Sequence, residues 1–253
     1  MGNIYFDESI RDSGKFIVGA AIYSEQDLTA LVHDLWKEFG LPPTHEYKSS
    51  ALKGADESGR KQRSQLYGIL QKGRVGLVIC PTSHRKELGK YAVALLKQLL
   101  ATGLIPSGQH VFYLDEGIIV STEDIQEAAV VGVLLNPAQD SRITAGLQVA
   151  DLAAHSTGGM LLEQMGLLKK TVRAGENSGY DPDLQIEIGF ELWANLRYYL
   201  FQVSTANGDE TDQIALANHK MEGFGLYIAP SCPEDLAKNA RARFGENYLG
   251  CIH

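Results

Sequence analysis

The chain has 253 residues, 44% hydrophobic and 21% charged, with 26 glycines and 8 prolines, which excludes a disordered chain, a collagen and a small disulfide scaffold and implies a sizeable core. Its formal charge of −8 argues against a polyanionic partner, yet residues 48–97 hold eleven Lys and Arg against three acids, leaving −16 elsewhere, so one basic face could meet a polyanion. No apolar run reaches the roughly 20 residues of a membrane helix, the chain opens without a charged leader, and Cys80, Cys232 and Cys251 form no C-x-x-C pair, so the expected state is cytoplasmic, with no membrane partner and reduced thiols.

Residues 3–8 and 15–23 are apolar runs rich in aromatic and β-branched side chains, separated by a polar turn, and they predict a β-hairpin. Residues 25–39 carry Leu28, Leu31, Val32, Leu35, Trp36 and Phe39 at helical spacing, with Ser24 as N-cap and Gly40, Pro42 and Pro43 as the stop. Further on, 62–71 reads as helix, 75–80 as a buried strand, 84–100 as a long helix and 110–115 as a strand. A helix near 121–133 opens on Ser121 and Asp124, 143–145 suits a short strand, and 146–165 is a helix of low polarity. A polar loop at 174–183, a helix at 184–201, a second polar loop at 204–212 and a mixed tail complete the chain. Alternating strands and helices over about 165 residues predict one α/β domain at 1–165, with a mainly helical C-terminal extension at 166–253 packed on it. Trp193, Tyr198, Tyr199 and Phe201 in that extension suit packing on the core or a homodimer face.

Carboxylates at the ends of apolar elements carry the chemical signal, because a charge there is costly unless paired or metal-bound. Asp7 is expected to end the first strand, on the same face as Tyr5 and Ser9, with Glu8 pointing the other way. Asp115 ends the strand at 110–115 and is followed by Glu116 and Gly117. In the low-polarity helix Gln148, Asp151 and His155 fall at i, i+3 and i+7, a polar stripe on an apolar surface. Asp151 also suits an isolated core acid held by Arg142, and His155 a packed histidine. Glu46, after a Pro-Pro turn, reads by itself as a surface residue.

Together, Tyr5-Phe6-Asp7-Glu8-Ser9, Glu46-Tyr47-Lys48, the strand ending in Asp115 and Gln148-Val149-Ala150-Asp151-Leu152-Ala153 resemble, over about residues 1–165, the family catalogued as domain of unknown function 3800. The resemblance implies a ribonuclease H-like mixed sheet flanked by helices, with Asp7, Glu46, Asp115 and Asp151 as its catalytic, metal-binding acids. It further implies a nuclease that hydrolyses phosphodiester bonds of RNA or DNA. Two Mg2+ or Mn2+ ions roughly 3.5–4 Å apart would serve an in-line attack, with Asp7 bridging them, Asp115 and Glu46 on one and Asp151 on the other. Lys48, Gln148 and Ser9 are the substrate-binding candidates. One departure stands out: Ile10 occupies the position where that family's first motif usually has glycine.

Two other readings compete. A haloacid-dehalogenase-like phosphatase also uses an Asp at the end of its first strand, but its Asp-x-Asp pattern fails at Ser9. A ribonuclease H-like module that binds nucleic acid or protein, with structural acids, is the non-catalytic alternative. No Gly-x-Ser-x-Gly, P-loop or His-Glu-x-x-His stretch occurs.

Overall fold

The two apolar runs at the start of the chain do form a hairpin, and it sets the centre of the sheet. In the computed structural model, which describes residues 1–49, 57–174, 181, 183–206 and 217–250, β1 (Gly2–Arg11) pairs antiparallel with β2 (Phe16–Ser24), from Asn3↔Ser24 to Arg11↔Phe16. A 3-10 turn over Asp12–Gly14 joins them, and Lys15 takes a left-handed backbone at φ 54°. β1 is thus longer than expected. Asp7 lies inside it, and Ile10 continues the strand.

β3 (Arg74–Pro81) adds antiparallel to β2, while β4 (His110–Asp115) and then β5 (Val133–Gln139) add parallel on the far side of β1. The later chain supplies a two-stranded ribbon of β6 (Thr171–Arg173) and β7 (Gln185–Glu187), together with the short strands β8 (Val203–Ser204) and β9 (Asn218–Lys220). β10 (Leu226–Ile228) joins the main sheet, and β11 (Glu246–Tyr248) pairs with β9. The main sheet is therefore mixed and six-stranded, in the order β10-β3-β2-β1-β4-β5.

Helices cover both faces, which is why every residue of β2 is buried. On one face α1 (Leu28–Glu38), α2 (Glu57–Leu70), α5 (Gly146–Gln164), α6 (Ile188–Leu196) and α7 (Glu234–Phe244) pack with Tyr5, Val18, Ala20 and Leu77. On the other, α3 (Leu88–Ala101) and α4 (Thr122–Val130) pack with Ile4, Phe6, Val78 and Phe112. This is the expected α/β class, with a largely helical C-terminal part. Because α2 and α3 lie on opposite faces, the basic residues of 48–97 do not share one surface.

Several boundaries differ from expectation for local reasons. α1 is capped by Asp27, whose carboxylate accepts the Thr29 and Ala30 N–H groups, while Ser24 Oγ accepts from Gln26 and donates to the Lys72 carbonyl. Residues 82–87 form a 3-10 segment, so the α-helix starts only at Leu88. Ser121 and Asp124 form a full capping box, but Gly132 (φ 81°) ends that region early and strand β5 succeeds it, with Pro137 and left-handed Ala138 (φ 55°) at its irregular end. The strand expected at 143–145 is a turn. In 184–201, pairing with β6 draws 185–187 into β7, and the helix shortens to 188–196 followed by a 3-10 turn. Most of the loop at 174–183, residues 207–212 of the next loop and Cys251 lie outside the described residues; Cys80 and Cys232 are free thiols.

The packing of α5 on β1 fixes where the polar residues of that helix stand. Fifteen of its nineteen residues are buried, as expected of a helix apolar all round, while Asp151 and His155 are only partly covered. Two glycines permit the approach: a Cβ on Gly146 would lie 2.4 Å from the Tyr5 ring, and one on Gly158 would lie 2.5 Å from Arg11 Nε. Twelve helical residues span roughly 18 Å and six strand residues roughly 20 Å, so the two contacts are commensurate and α5 runs along β1. Asp151 falls between them, over the stretch that carries Asp7 and Ser9. Gly146→Ala should therefore destabilise the protein by about 1–3 kcal/mol, more than the roughly 1 kcal/mol that alanine gains in a helix. Thermal unfolding tests this: Tm should fall, and an unchanged or raised Tm would show that α5 has room to spare over Tyr5.

Candidate metal centre

The ladder between parallel β1 and β4 stops at Phe6↔Leu114. Asp7 and Asp115 are the next residues on the two strands, side by side where the pairing ends. Beyond this point β1 continues against β2 alone, and β4 turns away through Glu116 and Gly117. The carboxyl end of a parallel pair is where open α/β sheets leave room for ligands.

Glu8 joins them. Strand alternation places it on the opposite face from Asp7, toward the segment at 82–87, as the sequence indicates. At the free end of the ladder, however, its carboxylate reaches the same space, and one oxygen each of Asp7, Glu8 and Asp115 lie within 4.8 Å of one another. Glu8 Oε1 accepts from Arg85 Nη2 at 3.0 Å. The Glu8 side chain is only 8% exposed, and its Oε2 is buried with no hydrogen-bond partner. A buried carboxylate oxygen without a donor fits a cation. Gly117 keeps the adjoining space open, since a Cβ there would sit 3.4 Å from Glu8 Oε1 and 3.8 Å from Asp115 Oδ2.

The other expected acids stand at the margin. Asp151 Oδ2 accepts the Ser49 N–H at 2.8 Å and faces Asp7 electrostatically. Glu46 Oε1 takes the Lys48 ammonium at 2.7 Å and the Ser141 hydroxyl at 2.8 Å, and it is not in the three-acid cluster. Arg142 pairs with Asp140 rather than with Asp151. Gln148 is 1% exposed: its Oε1 accepts from the Tyr47 N–H, and its Nε2 donates to the His45 and Ser141 carbonyls. Both amide hydrogens are thus committed, one to the loop that carries Glu46 and Lys48 and one to Ser141, leaving none for a phosphate. Ser9 is buried on the Asp7 side of β1. The backbone carbonyl of His155 accepts from Arg11, away from the three acids.

Crowding of this kind shifts the titration of every acid in the group. Burial, then the charges of Asp115, Asp151 and Glu8, push the Asp7 carboxyl well above the usual range, against the Glu8 N–H that it accepts at 2.6 Å. Burial also raises Glu8, Asp115 and Asp151, opposed by Arg85, by the Gly117 N–H and by the Ser49 N–H respectively. Glu46 is different: burial raises it, but Lys48 and Ser141 outweigh that and hold it low. Lys48 is raised by Glu46 first, and also by Asp7 and Asp115, so its ammonium partly neutralises the cluster.

Glu8 and its partner Arg85 were not legible as site residues, because alternation directs Glu8 away from Asp7. The available signal was an acid in an otherwise apolar strand, adjacent to Asp7.

No family model matches the chain, and no curated protein matches it. Among solved structures, ribonuclease H2 from Pyrococcus horikoshii OT3 aligns over 78% of this chain and 99% of that one, at a TM-score of 0.37 and 15% identity. A likeness that loose assigns neither a fold nor an activity. No helix among the described residues is long and apolar enough to cross a membrane.

The three acids can hold a divalent cation, and their mutual repulsion without one bears on stability. A carboxyl whose pKa is raised on folding contributes stability below its unfolded pKa of about 4, and that contribution is lost as pH climbs through the folded value. In EDTA, Asp7→Asn should therefore raise Tm at pH 8 by at least about 2 °C, the shift of about 1 kcal/mol for a chain of this size. The gain should shrink toward pH 5. Mn2+ should raise the Tm of the wild type and barely that of Asp7→Asn. A variant less stable than wild type at pH 8, or equal responses to Mn2+, would contradict the repulsion.

Proposed function

We propose that this chain is a metal-dependent nuclease of the ribonuclease H-like kind, related to the family of domain of unknown function 3800, that hydrolyses phosphodiester bonds of RNA or DNA. The observation that carries the reading is the buried, unpartnered Glu8 Oε2 beside Asp7 and Asp115 at the end of the β1–β4 ladder. Three oxygen donors in a partly buried site suit a hard cation, Mg2+ or Mn2+, which leaves several coordination positions to water and substrate phosphate.

In this reading Asp7, Glu8 and Asp115 would hold the cation, and Asp151 and Glu46 would complete a wider acidic set for a second one. When bound, such ions polarise a phosphate oxygen and lower the pKa of a coordinated water. The protein supplies the rest. The Ser49 N–H fixes Asp151 Oδ2, so that carboxylate cannot rotate away. Gln148 bonds the backbone at His45 and Tyr47, which holds the loop that carries Glu46 and Lys48, and the Lys48 ammonium acts on Asp7 and Asp115. The Lys48 ammonium exchanges Glu46 for a substrate phosphate oxygen, and the Ser9 hydroxyl donates along the same face of β1. All of these groups come from residues 1–165, which we take as the catalytic domain, with 166–253 as its packed extension.

The test is cleavage of end-labelled single-stranded and duplex RNA, DNA and hybrid with Mg2+ or Mn2+. Asp7→Asn and Asp115→Asn should each lower the rate by roughly 10²-fold or more, the scale on which loss of one charge-stabilising group acts. Glu8→Gln should lower it too, whereas a site confined to Asp7, Glu46, Asp115 and Asp151 would tolerate that change. Absence of cutting by folded wild type on every substrate would leave a binding module.

A further inference from the structure

On the far side of Asp151 from the three acids, a cleft of about 400 Å³ opens between β1, α2, α5 and α6. Among the described residues its charged lining is Arg11 from β1, Arg63 from α2, Lys170 and Asp12, and His155 of α5, Ser13 and Ser49 also face it. Leu162, Ile188 and Leu192 give it an apolar wall.

Both arginines are partly buried, and among the described residues neither lies within ion-pair distance of a carboxylate, although Glu191 acts on Arg63 and Asp151 on Arg11 at longer range. Arg11 lies against the Cα of Gly158 and spends Nη2 on the His155 carbonyl, while its Nε is buried with no hydrogen-bond partner. Arg63 rests near the Tyr67 ring and makes a long contact of 3.4 Å to the Tyr67 hydroxyl. A guanidinium carries five N–H donors in a fork that matches phosphate, so both retain capacity for an anion.

The cleft is tied to the acidic site by structure. Ser49 lines it and also holds Asp151 through its N–H. Arg11 stands four residues beyond Asp7 on the same face of β1, on the order of 13 Å away. An anion in the cleft is therefore too distant to share a cation with the three acids. A ligand that engages both places must carry phosphates at intervals along an extended chain.

We infer that this cleft is the subsite for a backbone phosphate of a single nucleic-acid strand, about two nucleotides along the strand from the one at Asp7, with its sugar and base against Leu162, Ile188 and Leu192. The inference rests on the nuclease reading for its ligand, and on the cleft's own residues for its place. It also assigns a role to the C-terminal extension, since Ile188 and Leu192 of α6 form part of the wall.

The experiment is fluorescence anisotropy with a labelled single-stranded oligonucleotide and the full chain in EDTA, across a range of salt, with Mn2+-dependent cleavage of the same strand read in parallel. Arg63→Gln should weaken binding several-fold and reduce the slope of log K against log salt by about 0.7, one phosphate contact on a single strand. Lys170→Gln, at an exposed site, should reduce the slope in the same direction and serves if Arg63→Gln lowers Tm. Cutting by a wild type whose binding is indifferent to both substitutions would overturn the subsite and leave the nuclease reading standing. Binding that depends on Arg63, with no cutting of this strand or of any RNA, DNA or hybrid substrate, would overturn the nuclease reading and uphold the subsite. A wild type that neither binds nor cuts would overturn both.

Discussion

The end of the β1–β4 ladder at Phe6↔Leu114 is the constraint on which the rest depends. Up to that pair, two parallel strands bury apolar side chains on both faces; one residue later the same register sets Asp7 beside Asp115, and Glu8 closes in from the other face. Carboxylates this close in a partly desolvated place repel one another, and the protein compensates only in part, through Lys48, Arg85 and the backbone N–H groups of Glu8, Gly117 and Ser49. The remaining imbalance is what a divalent cation would relieve.

α5 makes the constraint three-dimensional. Its glycines let the helix backbone lie on Tyr5 and Arg11, and that proximity carries Asp151 to Asp7 on one side and sets the Arg11 guanidinium beside the helix on the other. Acid and base are thus separated along a single strand, the acids at the ladder's end and the arginine beyond them. The positive residues of 48–97, by contrast, are divided between the two faces of the sheet.

Much of this was readable from the sequence where periodicity is strong. The hairpin, α1, β3, β4 and α5 follow from alternation or helical spacing, and Ser121 with Asp124 gives the box that starts α4. β5 was not readable, because its run is short, holds Pro137 and adjoins a helical pattern. β10, three residues long, gains its place only through pairing with β3, a long-range contact with no local signature. Among the candidate acids, strand position was enough to bring Asp7 and Asp115 together. Alternation alone put Glu8 out of reach, since it describes which way a side chain leaves the strand and not how far it reaches around an unpaired edge. Gln148 was recognisable as a polar residue on a buried helix, but its three backbone partners, two of them about a hundred positions away, were not.

The most direct measurement is anomalous diffraction from crystals of the full chain grown with Mn2+. A peak is expected at coordination distance, about 2.0–2.3 Å, from oxygens of Asp7, Glu8 and Asp115, with Glu8 Oε2 among them. A peak held by other residues with Glu8 left unpartnered, or no peak near Asp7 at saturating Mn2+, would contradict the proposed centre.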